Sequence, residues 1–164
     1  NDVSGGLADP DMLAAVADLH VDIVLGHWRG PSSEMYARAE YTNVGREVVV
    51  ELQERVAAAV AAGISPARIV VDPGIGFGKR GDQNWQALRA LPAFGVLGYR
   101  TLVGTSRKRF LAETLGDEDA GLARRDLATA VTSALAARSG AWAVRVHDVA
   151  TTRDALAVAR AWEA

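Results

Sequence analysis

The sequence predicts an α/β protein built on a parallel sheet, and three observations carry that expectation. Apolar runs rich in β-branched residues recur at VDIVLG (21–26), ARIVVD (67–72), RTLVG (100–104) and WAVRV (142–146). None alternates polar and apolar residues, as a strand with one wet face would, so each reads as a strand covered on both sides. Helical patterns lie between the runs. Polar and ionisable residues gather directly after each run, at the strand ends where parallel α/β folds bind ligands.

The elements follow in order. NDVSGG (1–6) reads as the end of a strand and a turn. DPDMLAAVADL (9–19) has an Asp cap and Pro10 in its first turn. NVGREVVVELQERVAAAVAAG (43–63) keeps apolar residues at helical spacing and stops on Gly63. RDLATAVTSALAARSG (125–140) does the same and stops on Gly140. TTRDALAVARAWEA (151–164) opens on a Thr cap. Strand and helix alternate throughout, which defines one domain over 1–164 with parallel strands. A doubly wound sheet and a (β/α)8 barrel both fit. Four strands and a fragment make about half a barrel of roughly 250 residues. The opening at Asn1, already at a strand end, reads as a chain whose first strands lie further upstream.

Composition narrows the function. Of 164 residues 49% are hydrophobic and 23% charged, which suits a globular protein rather than a disordered one. A net charge of −2 gives no reason to expect a nucleic-acid partner. The absence of cysteine excludes disulfide and thiolate chemistry and suits a cytoplasmic setting. No apolar run reaches membrane-spanning length, so no membrane partner is expected.

The strand ends carry the chemistry. Asp72 closes a buried strand before Pro73, and a carboxylate there needs N–H donors, which a ligand can supply. The glycines 74, 76 and 78 match neither a dinucleotide loop nor a Walker loop. Phe77 between two of them is suited equally to a flat ligand or to the core. In GTSRKRF (104–110), Gly104 ends the strand and Ser106 is placed to cap the next helix. Arg107, Lys108 and Arg109 then crowd its first turn, where cations oppose the macrodipole unless an anion binds. In RVHDV (145–149), Arg145 and His147 stand two apart, on one face of a strand end, and together suit a phosphate. Phosphate sites at the last strands are a barrel feature, which favours the barrel over the open sheet.

NDVSGG, DPGIGFGK, GTSRKRF and RVHDV, in this order and spacing, resemble the dihydropteroate synthases across the whole chain. The resemblance implies a (β/α)8 TIM barrel of which this chain holds the C-terminal half, from the end of strand 4 through helix 8. It implies condensation of 6-hydroxymethyl-7,8-dihydropterin diphosphate with p-aminobenzoate. By the same resemblance Asn1, Asp72, Gly76, Phe77, Gly104 and Lys108 would hold the pterin. Ser106, Arg107 and Lys108 would hold p-aminobenzoate, and Arg145 and His147 the diphosphate. Asp72, Lys108, Arg145 and His147 would carry the chemistry. Mg²⁺ is the implied cofactor, with its ligand expected upstream of Asn1 and none in this chain, and a homodimer is implied. With that ligand and two loops upstream, the chain alone is expected to be inactive. Gly26 stands where many members carry methionine, which implies a looser wall. A non-catalytic pterin-binding paralogue and a corrinoid-type pterin methyltransferase domain are the alternative readings.

Overall fold

The computed structural model describes residues 1–163. Each apolar run becomes a strand, shortened to the residues whose neighbours pair: β1 Ile23–Gly26, β2 Ile69–Asp72, β3 Arg100–Val103 and β4 Ala143–Val144. The helices are α1 Met12–Leu19, α2 Val44–Ala61, α3 Asp82–Arg89, α4 Leu91–Gly95, α5 Arg109–Thr114, α6 Leu122–Arg138 and α7 Val149–Glu163.

Strand order decides between the two architectures left open. All pairings are parallel and sequential, β1-β2-β3-β4. Asp2 adds a parallel bridge to Leu25 on the other side of β1. A doubly wound sheet reverses its order once. Here the order never reverses, so the sheet is an arc of a (β/α)8 barrel. Register sets Gly26 beside Asp72, which brings the strand ends to one level.

Helix α2 shows how local signals start an element. The Asn43 side chain accepts from the Arg46 N–H at 3.0 Å, and Glu47 accepts from the N–H groups of Thr42 and Asn43. This is a reciprocal capping box. Its buried stripe, Val44, Val48, Leu52, Val56 and Ala59, covers the sheet, and Gly63 leaves the helix at φ +97. Between β2 and β3 the chain makes two short helices, because Pro92 has no N–H to extend α3 into α4.

Three expected boundaries move. α6 begins at Leu122, before the predicted 125. α7 begins at Val149, and its cap is Asp148, whose carboxylate accepts from the N–H and hydroxyl of Thr151 at 3.1 and 2.6 Å. The expected Thr cap is therefore the donor. In α1, Asp9 accepts from the Asp11 N–H ahead of a helix that starts at Met12.

Candidate active site

Strand β2 is buried along its whole length, up to its carboxyl end. Asp72 is 5% exposed, and its Oδ1 accepts from the Gly74 N–H at 2.8 Å. Its second oxygen has no hydrogen-bond partner among the described residues and is not sealed from solvent. Burial raises the Asp72 pKa, against the Gly74 N–H and the nearby charges of Lys108, Arg145 and Lys79. A buried acceptor, open on one side and ringed by cations, is poised to receive N–H donors from outside the chain.

The loop after Asp72 runs through Gly74, Gly76 and Gly78, all at positive φ, which glycine adopts without strain. These glycines make room for the protein itself. A Cβ on Gly74 would stand 2.3 Å from the His27 carbonyl oxygen, and one on Gly76 2.5 Å from Lys108 Cδ. Phe77 is half-buried and outside the core cluster, with Lys108 Nζ 4.4 Å from its ring centroid.

The SRKR turn is not arranged as the sequence suggested. Helix α5 starts at Arg109, so Ser106 lies too early to cap it. Its hydroxyl instead meets His147 Nδ1 at 2.7 Å and accepts from the His147 backbone N–H at 3.1 Å. Arg107 takes a left-handed backbone (φ +58) and pairs with both oxygens of Asp126, at 2.8 Å each. Arg109 pairs with Glu113 at 2.9 Å, one turn along the helix. The cations at this helix start are therefore largely answered by the protein's own carboxylates, and no anion is needed to explain them. Lys108 alone turns inward, donating to the Ile75 carbonyl. Burial brings its pKa down to about 8, opposed by Asp72 and assisted by Arg145.

Past β4 the strand is shorter than predicted, but its ladder continues as Arg145 N–H donates to the Val103 carbonyl at 2.9 Å. The Arg145 guanidinium lies over Gly104, 3.3 Å from where a Cβ would be, while His147 reaches Ser106. The two-residue spacing of Arg145 and His147 thus matches that of Gly104 and Ser106 on the neighbouring strand end. Both side chains are exposed, and Arg145 makes no ion pair among the described residues. Asn1 is exposed beside the Asp2 bridge, on the far side of β1 from Asp72. The wall at Gly26 is not loose, because a Cβ there would stand 2.8 Å from the backbone of Val3.

Two residues escaped the sequence reading. Lys79 is buried beneath the loop, and Asn84 Oδ1 accepts from the Gly76 N–H at 2.7 Å. Beside Lys108 lies a cavity of about 470 Å³ lined by Tyr36, Gly76, Arg80, Asn84 and Arg109, among others. The described residues contain no group of three or more His, Asp or Glu side chains able to hold a metal ion. No helix is long and apolar enough to cross a membrane.

The arc of parallel barrel strands thus carries, at its carboxyl ends, an enclosed acceptor, an inward lysine and an arginine with no ion pair among the described residues, on the face where barrels of this class bind ligands. The model of the pterin binding enzyme family matches residues 1–147, and the chain belongs to that family. It is 50% identical to the dihydropteroate synthase of Mycobacterium leprae, over 99% of this chain and 58% of that protein. It is 43% identical to the enzyme of Neisseria meningitidis, over 94% of this chain and 52% of that protein. Among solved structures, Xanthomonas albilineans dihydropteroate synthase with 4-aminobenzoic acid superposes with a TM-score of 0.90 at 43% identity, over 100% of this chain and 57% of that one. Thermus thermophilus dihydropteroate synthase in complex with 6HMPPP gives 0.91 at 38%, over 100% and 64%. The chain therefore spans less than two thirds of the length of these relatives.

Proposed function

We propose that this chain supplies the pterin slot and the diphosphate-facing cations of a dihydropteroate synthase. The observation that carries the reading is the open oxygen of Asp72, buried at the end of β2 between Lys108 and Arg145. A pterin edge presents amino and ring N–H donors that suit this acceptor. Phe77 and Lys108 offer a flat face and a cation beside the ring. Gly76 and Gly104 serve as floors under Lys108 and Arg145. Asn1 completes the slot from the other side of β1.

In the reaction, the bond between the pterin methylene carbon and the diphosphate oxygen breaks, and its electron pair leaves with the diphosphate. The amine of p-aminobenzoate forms the new C–N bond and gives up one proton to solvent or to the departing diphosphate. Catalysis is then positioning together with stabilisation of the departing charge. Arg145 donates to the diphosphate, and His147, oriented by Ser106, stands beside it. The cavity next to Lys108 suits p-aminobenzoate, whose carboxylate would lie near Arg80 and compete with Glu113 for Arg109, in place of the Ser106 cap first expected. Ser106 and Arg107 act there only indirectly, by holding His147 and the α5–α6 contact. A ligand for Mg²⁺ is expected upstream of Asn1, and the described residues hold no group of three or more His, Asp or Glu side chains that would bind it in its place.

We place a homodimer contact on the outer faces of α6 and α7, where Leu127, Val131, Leu135, Val158 and Trp162 are all more than half exposed. A cytoplasmic setting suits this chemistry. The test is p-aminobenzoate-dependent diphosphate release by the polypeptide that carries this chain, with Lys108→Ala beside it. Release that requires p-aminobenzoate and collapses in the variant supports the synthase. Saturable pterin binding without release supports the non-catalytic paralogue instead.

A further inference from the structure

Lys79 is 1% exposed, and the reaction described above makes no use of it. A buried ammonium needs a partner for each of its three N–H donors. Lys79 Nζ has them: the Gly74 carbonyl at 3.0 Å, the Phe77 carbonyl at 3.1 Å and His27 Nδ1 at 3.0 Å. The His27 ring is equally enclosed, and its Nε2 lies 2.9 Å from Glu51 Oε2. A carboxylate only accepts, so Nε2 carries the ring proton and Nδ1 offers its lone pair to Lys79. Glu51, about one third exposed, is also held by Arg29, which pairs with Glu47 as well. The Lys79 charge is thus answered across one imidazole by a carboxylate that reaches the surface. Asp72, Lys108 and Arg29 are the other charges facing it.

The two carbonyls that Lys79 binds belong to the two ends of one turn, in which the Phe77 N–H donates to the Gly74 carbonyl at 2.9 Å. Between them, the Ile75 carbonyl is taken by Lys108. A loop with three glycines at positive φ has little conformational preference of its own, so these side-chain anchors decide its shape. Tyr41 adds one more, donating to the Gly78 carbonyl at 2.9 Å.

We propose that Lys79, oriented through His27 by Glu51, is the positioning residue that fixes the Gly74–Phe77 turn, and with it the Phe77 ring beside the Asp72 slot. The consequence for affinity rests on the pterin reading, whereas the fixing of the turn does not.

The test uses the ¹⁵N-labelled chain with Lys79→Met and Glu51→Gln. Lys79→Met is expected to lower hydrogen-exchange protection of the Gly76 and Phe77 amides about tenfold relative to Val70 and Val71 of β2. Glu51→Gln, at a partly exposed site, is expected to lower it by about threefold and to shift the His27 ring nitrogens away from the Nε2–H form. The dissociation constant of 6-hydroxymethyl-7,8-dihydropterin diphosphate is expected to rise about tenfold in Lys79→Met. If Lys79→Met does not fold, the Glu51→Gln amides and ring shifts decide. Unchanged loop protection in the folded variants, or a loss spread evenly over β2, overturns the positioning role. A loosened loop with unchanged pterin affinity overturns its link to the slot. Loop loosening in a chain whose unsubstituted form binds no pterin upholds the fixing of the turn and sinks the pterin reading.

Discussion

The loop after β2 and the segment after β4 face the same end of the sheet and are built in opposite ways. Along the first, side chains grip the backbone at nearly every residue: Asp72 and Asn84 take amides, and Lys79, Lys108 and Tyr41 take carbonyls. Along the second, a two-residue strand ends in exposed Arg145 and His147, with Ser106 as the main anchor. The difference follows the groups each region would meet. A flat ring with fixed donors rewards a rigid, desolvated slot, whereas a departing diphosphate is met by long cationic side chains that stay hydrated until it binds.

Substitutions that separate the regions test this contrast. The largest effect is expected from Gly74→Ala, which places a Cβ against the His27 carbonyl at φ +64. It should destabilise the chain by about 3 kcal/mol in urea unfolding, and a loss below about 1 kcal/mol would mean the loop gives way readily. Asp72→Asn keeps an acceptor for the Gly74 N–H but loses the charge. Pterin affinity should fall about 10- to 100-fold by calorimetry with the fold intact.

The buried relay should also appear in pH-dependent stability. Burial, reinforced by Lys79, brings His27 down to about 4, while hydrogen bonds from His27 and Arg29 outweigh burial and hold Glu51 at about 2. His27 is neutral in the fold and charged in the unfolded chain between pH 4 and its ordinary 6.5, so stability is lost as pH falls through that window. Burial likewise brings Lys79 down to about 7 from 10.5. Across that range the unfolded chain holds the extra proton, so stability rises with pH. Urea midpoints from pH 4 to 10 should climb in both windows, and Lys79→Met should flatten the upper climb, leaving the part due to Lys108.

On the β4 side effects should be smaller and confined to charge. Arg145→Ala should weaken the pterin diphosphate about tenfold and the diphosphate-free pterin alcohol hardly at all. Equal losses for both ligands would place Arg145 on the ring instead. Ser106→Ala, which frees His147, should change diphosphate binding by about threefold or less.

The strands were legible because β-branched runs between helical patterns admit few other readings. Asp72 was legible because a carboxylate at such a strand end needs donors. The cations of the SRKR turn read as an anion site because the carboxylates that pair with Arg107 and Arg109 stand outside the motif. Glu113 sits one helical turn from Arg109 and was within reach of sequence reasoning, but Asp126 meets Arg107 only through the packing of α5 on α6. Lys79 was hidden for another reason. Its acceptors are mostly backbone carbonyls, which no residue pattern displays, so a lysine after three glycines reads as a surface charge. Gly26 looked like an open wall because the backbone that fills it comes from Val3, distant in sequence.

Because each strand pairs with the next in sequence, every ladder closes over one connection of one or two α-helices. Contacts of such modest sequence separation let structure accumulate strand by strand. β4 is short and half-buried whereas β2 is fully buried, so local opening is expected to start around β4. Arg145 and His147 would then ride on the part expected to open first, and Asp72 on the part expected to open last. A bound diphosphate would tie β4 down, so a ligand should protect β4 amides well beyond those it touches.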